Sequence, residues 1–229
     1  MKSYVIHLIR HGLSEGNLKG QYIGSTDSPL SEQGAKEIRR LKKSGRYPAA
    51  QRYYSSPLSR CTQTLSILYP KAQPILIDGF SESSFGDWEG KTAKELSGDP
   101  VFQKWMRGET GEIPGGENGG HFMARVCAAF EALVEDMMKE GATSAVIVTH
   151  GGVIMTILSA YGLPRAKFYD WMCDNGCGYS MRITPGLWMR SQVAEVYGKL
   201  PDGSESSAAV DEARRAADLI WGEKEEKSE

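Results

Sequence analysis

Short apolar runs alternate with amphipathic stretches over most of the chain. Runs rich in β-branched and aromatic residues predict strands over residues 4–9, 52–55, 74–77 and 144–149, with further candidates over 179–183 and 188–196. Apolar positions at helical spacing predict helices over residues 31–43, 59–68, 93–106, 122–140 and 153–161. The stretch EIPGGENGGH is rich in Gly and Pro and predicts a loop between two of these helices.

The alternation of strands with helices favours a mostly parallel sheet, because parallel neighbours need a crossover connection that is usually a helix. We therefore predict an α/β fold, a three-layer α/β/α sandwich around a mostly parallel central sheet. Residues 1–200 are predicted to form the main domain. Residues 201–229 are predicted to add a helix over 208–221, after the linker-like LPDGSESS, and a charged disordered tail, GEKEEKSE.

Composition narrows the class of protein. The 229 residues carry a net charge of −2, with 40% apolar and 24% charged residues, as in ordinary globular proteins. The chain has neither a basic bias nor a polybasic run, so its composition does not predict binding to nucleic acid or to an anionic membrane. No apolar run reaches the roughly 18 residues that span a bilayer, and no leader pattern follows Met1, so we expect a cytoplasmic protein. The four cysteines match no zinc or redox spacing.

Two histidines follow predicted strands directly, and each precedes a glycine. His11 comes after VIHLIR and His150 after AVIVT. Ligands of open α/β sheets bind at the carboxyl ends of the strands, and a helix N-terminus behind a glycine favours an anion. Arg10 precedes His11, and Arg60 opens a helix after another short strand. Two guanidiniums and two imidazoles at one sheet edge predict a phosphate pocket.

The residue types of this pocket suggest phosphoryl transfer. A neutral imidazole can attack phosphorus and form a covalent phosphohistidine, while the arginines and the second histidine stabilise charge on the transferring oxygens. An alkoxide leaving group also needs a proton, for which Glu82, in the run GFSESSFGDWEG, is the best candidate. Two other classes stay open: a metallohydrolase with His11 and His150 as ligands, disfavoured by the cationic arginines, and a non-catalytic phosphate-binding protein.

Ordered sequence blocks resemble the histidine phosphatase superfamily, the phosphoglycerate mutase-like proteins. The blocks are RHGLSEGN, YIGSTDSPLSEQG, SSPLSRCTQT, ESSFGDWEG, IPGGEN and VIVTHGGVI. The resemblance implies that His11 is the phosphorylated nucleophile, that Glu82 is the proton donor, and that residues 1–200 are the catalytic domain. It further implies roles in binding the phosphoryl group or the substrate for Arg10, Arg60, His150, Asn17, Ser14, Gly24 and Gly151. It implies neither a metal nor a cofactor.

Leu13 departs from the family pattern, which usually has Glu or Gln at this position. It removes a polar neighbour of the nucleophile but no member of the predicted catalytic set. Of the remaining polar residues, we expect His7 to be a satisfied core histidine, Arg125 to pair with Glu117, and Glu89 to pack rather than to act as an acid.

The resemblance favours a phosphatase over a mutase. Mutases carry a long arginine-containing insertion that grips a substrate carboxylate, whereas residues 89–114 are short here and contain one arginine, Arg107. The stretch GLPRAKFYDWMCDNGCGYSMRI resembles α-ribazole-5′-phosphate phosphatases of cobalamin synthesis. We predict a small phosphate ester as substrate, with α-ribazole 5′-phosphate favoured, another small phosphomonoester open, and a cofactor-dependent phosphoglycerate mutase as the alternative. A homodimer is compatible with an exposed C-terminal helix.

Overall fold

The computed structural model describes residues 2–222. Its strands are β1 (Tyr4–Arg10), β2 (Arg52–Ser55), β3 (Ile75–Leu76), β4 (Ser144–Thr149), β5 (Gly162–Leu163), β6 (Gly178–Ile183) and β7 (Ala194–Leu200). Its helices are α1 (Glu15–Leu18), α2 (Glu32–Ser44), α3 (Ser59–Leu68), α4 (Ala93–Leu96), α5 (Pro100–Met106), α6 (Gly119–Glu140), α7 (Gly151–Tyr161), α8 (Pro185–Ser191) and α9 (Ala208–Ala217).

The strands form one seven-stranded sheet in the order β3-β2-β4-β1-β6-β7-β5. The central strand β1 runs parallel to β4 and antiparallel to β6. The pairs β2/β3, β2/β4 and β5/β7 are parallel, and β6/β7 is antiparallel. The sheet is therefore mostly parallel, as predicted, with an antiparallel part around β6.

Helices cover both faces of the sheet, which confirms the predicted three-layer sandwich. Successive residues of β1 point to opposite faces: Leu8 packs with α6 and α7, and Ile9 packs with α2 and α3. Both side chains are fully buried. Because β1 and β4 are buried on both faces, their sequences are continuous apolar runs rather than alternating ones.

The structure corrects two element predictions. Residues 188–196 are not one strand, because Pro185 occupies the first turn of α8, which ends at Gln192 in the left-handed region (φ 47°) before β7 begins. Residues 93–106 form two helices, because Asp99 caps the second helix and Pro100 starts it.

The C-terminal helix is shorter than predicted. Helix α9 ends at Ala217 and a single wider turn follows over Asp218–Gly222. The predicted charged tail falls on residues 223–229, which lie outside the described residues. No helix within residues 2–222 is long and apolar enough to cross a membrane.

Candidate active site

His11 directly follows β1 and is almost completely buried. Its Nδ1 lies 2.7 Å from the carbonyl oxygen of Gly12, which can only accept, so Nδ1 carries the proton. Burial, followed by the charges of Arg60 and Arg10, holds the pKa of His11 well below 6.5. The imidazole is therefore neutral at pH 7, and the lone pair for attack is on Nε2.

Arg10 is the last residue of β1 and directly precedes His11. Its Nη1 donates to the carbonyl oxygen of Cys173 at 2.6 Å, which fixes one edge of the guanidinium. Its Nε is buried and has no hydrogen-bond partner among the described residues. Buried donors in folded proteins are nearly always paired, so this one is available to a ligand.

Arg60 comes from α3 and is 1% exposed. Its Nη2 donates to the carbonyl oxygen of Gly24 at 2.7 Å, and its Nη1 donates to that of Thr26 at 3.0 Å. Its Nε, like that of Arg10, is buried without a partner in the part of the chain that the structure describes. A second guanidinium, close enough for its charge to lower the pKa of His11, therefore has hydrogen-bonding capacity left over.

His150 follows β4 and caps the start of α7. Its ring centroid lies 5.1 Å from that of His11, and its Nε2 lies 2.8 Å from the Oγ of Ser56. Burial first, and then electrostatic interactions with the His11 ring and with the charges of Arg60 and Arg10, lower the pKa of His150 well below 6.5. Two neutral imidazoles thus meet at the carboxyl ends of the adjacent parallel strands β1 and β4.

Glu82 reaches the same place from the loop after β3. Its Oε2 accepts from the backbone N–H of Gly152 at 3.0 Å, and its Oε1 accepts from the N–H of Ser83 at 3.0 Å. A Cβ on Gly152 would lie 3.2 Å from Cδ of Glu82 and closer still to Oε1, inside van der Waals contact. Gly151 was predicted to belong to the site and Gly152 was not, yet it is Gly152 whose lack of a side chain admits the carboxylate.

Arg125 of α6 holds the loop that carries Glu82. Its guanidinium donates to the carbonyl oxygens of Gly79, Ser81 and Glu82 at 3.1, 2.9 and 3.2 Å. It also pairs with Glu117 through two bonds of 2.6 and 2.7 Å, as predicted. Arg125 therefore does more than form the ordinary ion pair that was predicted, because it also holds the backbone from Gly79 to Glu82.

Three of the remaining predicted residues lie at the starts of the helices α1 and α7. Ser14 caps α1 by accepting from the N–H of Asn17 at 3.2 Å, and the Oδ1 of Asn17 is buried without a partner within residues 2–222. A Cβ on Gly151, the first residue of α7, would lie 3.5 Å from Nε of Arg10. The α7 N-terminus therefore lies against the partnerless edge of that guanidinium.

Glu89, which was predicted only to pack, also binds the backbone of the loop around Gly24. Its carboxylate accepts from the backbone N–H groups of Gly24, Ser25, Thr26 and Phe85. Burial opposes its ionisation, but these hydrogen bonds outweigh burial and lower the pKa of Glu89. Glu89 thereby shapes the loop whose carbonyl oxygens bind Arg60. Because Glu89 and Gly24 are 65 positions apart, no local pattern reveals this contact.

His7 does not belong to the site. Its Nδ1 lies 2.8 Å from the Oγ of Ser180 on the neighbouring strand, as expected for a satisfied core histidine. Burial lowers its pKa to about 4. No group of three or more metal-ligating side chains suited to a metal ion occurs among residues 2–222. The arrangement has the chemistry that suits an anion: two arginines, a helix N-terminus and a neutral imidazole beside a carboxylate.

Comparisons with known proteins agree with this chemistry. A model of the histidine phosphatase superfamily (branch 1) matches residues 6–195. A 2,3-bisphosphoglycerate-dependent phosphoglycerate mutase of Rhizobium etli is 30% identical over 176 residues, 71% of this chain and 81% of that protein. An adenosylcobalamin/alpha-ribazole phosphatase of Salmonella typhimurium is 23% identical over 185 residues, 79% of this chain and 91% of that protein. The crystal structure of an alpha-ribazole phosphatase from Shigella flexneri shares the fold, with a TM-score of 0.71 at 24% identity, covering 84% of this chain and 94% of that chain.

Proposed function

We propose that this chain, which belongs to the histidine phosphatase superfamily (branch 1), is a metal-independent phosphomonoesterase that acts through a phosphohistidine. The observation that carries the proposal is a neutral, buried His11 between two guanidiniums whose buried Nε groups have no partner among the described residues. The oxygens of a phosphoryl group are the acceptors that such donors fit. The predicted superfamily and the predicted hydrolase class are confirmed.

In the first step, Nε2 of His11 attacks phosphorus in line with the ester oxygen. The N–P bond forms as the P–O bond breaks, and Glu82 gives its proton to the departing alkoxide. Arg10, Arg60 and His150 stabilise the charge on the three equatorial oxygens. The alcohol leaves, and the phosphoryl group stays on His11.

In the second step, water attacks the phosphohistidine. The O–P bond forms as the N–P bond breaks, and the Glu82 carboxylate takes a proton from the attacking water. Inorganic phosphate leaves, so His11 is neutral again and Glu82 is again protonated. The backbone N–H of Gly152 and the grip of Arg125 keep the same carboxylate in place for both steps.

An aromatic cluster next to the site favours a substrate whose leaving alcohol carries an aromatic ring. Tyr22 packs on Phe85 and Trp105 with ring centroids 5.4 and 5.9 Å apart. Phe85 in turn lies against Gly24, since a Cβ there would be 3.0 Å from its ring. These rings are only partly buried. The aromatic base of α-ribazole 5′-phosphate can stack on these rings. We therefore propose α-ribazole 5′-phosphate as the favoured substrate.

A cofactor-dependent phosphoglycerate mutase is the alternative, because the Rhizobium etli relative is one. A mutase needs cations that bind the glycerate carboxylate. Arg107, the one arginine in residues 89–114, instead pairs with Glu109, with its Nε 2.5 Å from Oε1 of that residue. The segment thus supplies no arginine for this purpose, and hydrolysis is favoured over transfer.

The test is phosphate release in the presence of EDTA from α-ribazole 5′-phosphate, 3-phosphoglycerate with its bisphosphate, sugar phosphates and p-nitrophenyl phosphate. Wild type is compared with His11→Ala and with the surface control His121→Ala. We expect turnover and acid-labile labelling in wild type and in the control, and neither in His11→Ala. Labelling that persists without His11 would refute the nucleophile assignment. Loss of turnover with EDTA would support a metallohydrolase. Conversion of 3-phosphoglycerate without phosphate release would support the phosphoglycerate mutase. Tight phosphate binding without any turnover would support a non-catalytic phosphate-binding protein.

The remaining predictions concern the surroundings of the enzyme. We propose a cytoplasmic protein that binds neither nucleic acid nor membranes, on the basis of its near-neutral net charge of −2. Light scattering of the full chain during size exclusion would distinguish a monomer from a homodimer.

A further inference from the structure

Residues 173–177, called the brace here, hold the two residues at the end of β1. The carbonyl oxygen of Cys173 accepts from Nη1 of Arg10 at 2.6 Å. The Nδ2 of Asn175 donates to the carbonyl oxygen of His11 at 2.9 Å, and the N–H of Gly176 donates to that of Arg10 at 2.9 Å. The brace therefore fixes both the guanidinium of Arg10 and the backbone of the nucleophile.

No helix or strand includes residues 173–177, and β6 begins directly after them at Gly178. The position of the brace must come from tertiary contacts. On one side, the hydroxyl of Tyr47 donates to the carbonyl oxygen of Gly176 at 2.7 Å. On the other side, the contacts come from the C-terminal helix α9, which lies beyond all of the sequence blocks that define the active site.

Two contacts join α9 to the brace and its flanks. Ser207, the cap of α9, donates from its N–H and its Oγ to the carboxylate of Asp174 at 2.8 and 2.6 Å. Arg214, seven residues after Ser207, donates to the carbonyl oxygen of Met172 and to the hydroxyl of Tyr179. The Arg214 side chain is 20% exposed, so these bonds are largely screened from water.

We propose that α9 is a positioning element of the active site: through Asp174–Ser207 and through Arg214 it fixes the brace, and the brace fixes Arg10 and His11. The inference rests on the proposed function in one respect, that Arg10 and His11 are the residues that handle phosphate. Arg214 and Asp174 are positioning residues, because neither touches the reacting atoms.

The expected consequence is a selective loss of kcat. Without α9, the brace gains freedom, and the geometry of Arg10 relative to Nε2 of His11 becomes less defined. A small misplacement of a catalytic group costs transition-state stabilisation more than it costs ground-state binding. We therefore expect kcat to fall about tenfold, equivalent to about 1.4 kcal/mol, while KM changes less than about threefold.

The experiment compares full-length wild type, Arg214→Ala, Asp174→Ala and the control Arg215→Ala, which removes a neighbouring exposed arginine of α9. Hydrogen exchange of a peptide covering residues 8–18 is measured with kcat and KM for p-nitrophenyl phosphate. We expect about tenfold faster exchange in this peptide and the kcat loss in the first two variants, with wild-type values in Arg215→Ala. Arg214→Lys, which can still donate to Met172, should recover part of both.

Faster exchange confined to residues 200–217, with unchanged exchange in the peptide covering residues 8–18, would overturn the inference. Unchanged kcat would also overturn it. If wild type hydrolyses nothing, the proposed function fails, yet the exchange of the 8–18 peptide still decides whether α9 controls the nucleophile segment. If Asp174→Ala does not fold, Ser207→Ala removes one of its two bonds, and we expect about threefold effects in the same direction.

Discussion

Replacing Gly152 with alanine tests the role of Glu82 as proton donor while leaving its carboxylate in the protein. The new methyl group would lie 3.2 Å from Cδ of Glu82 and nearer to Oε1. The carboxylate is the end of a flexible side chain and can move away, whereas the backbone of α7 cannot. We therefore expect the variant to fold normally, with the acid displaced from its hydrogen bond to residue 152.

The expected loss of activity follows from what general acid catalysis contributes to the rate. General acid catalysis contributes roughly 100-fold to 10,000-fold, and a displaced acid retains part of this. We expect kcat/KM for an alkyl phosphate to fall about 100-fold, which is about 2.7 kcal/mol.

The assay measures kcat/KM for glycerol phosphate and for p-nitrophenyl phosphate on the same preparation. The nitrophenolate leaving group needs little protonation, so its loss should stay within about fivefold. Gly119→Ala is the matched control, because it places alanine in the first turn of α6, where a Cβ would meet nothing within 4 Å. The control should keep wild-type rates on both substrates.

Equal losses on both substrates would refute the reasoning, since they would mean that Glu82 is not the acid or that the nucleophile was disturbed. A double variant gives a second check. If the methyl group acts through the carboxylate, adding Gly152→Ala to Glu82→Gln should cost little beyond Glu82→Gln alone. Fully additive losses would place the effect of residue 152 elsewhere.

Further predictions concern the partly buried Glu89 and the buried histidines His11 and His150. Glu89→Gln should lower the free energy of unfolding by about 1–3 kcal/mol at pH 7, because an amide NH₂ would face backbone N–H groups. Because the pKa of Glu89 is lowered in the folded chain, this difference in unfolding free energy should shrink as pH falls below 4.5 and through the folded-state pKa. Urea titrations at pH 7 and below pH 4.5 measure the difference. A difference that stayed constant would contradict the reasoning. His11 and His150 should remain neutral in an NMR titration from pH 8 to about pH 5.5, because burial lowers both pKa values; a midpoint near 6.5 would contradict this. Since the unfolded chain protonates these imidazoles and the folded chain does not, they should also reduce stability as pH falls below 6.5.

The sequence alone determined those features that depend on short stretches of chain. Continuous apolar runs identified β1 and β4, because strands buried on both faces need no polar alternation. Since parallel strands end at the same edge of a sheet, the residues that follow them, His11 and His150, could be placed together. The ordered motifs then indicated Arg60 and Glu82, although nothing local showed what holds either of them.

Tertiary structure decided the contacts that support those residues. Gly152 receives the Glu82 carboxylate, Arg125 fixes the acid loop, Glu89 shapes the loop bound by Arg60, and α9 holds the brace. The partners in these contacts are 33 to 70 positions apart in the chain. Local propensity acts over a few residues, so it fixes where a helix or strand begins. The pairing of a distant N–H group with a carboxylate depends on the order of the strands, which brings the loops to one edge of the sheet. Once the loops are buried there, each polar group requires a partner.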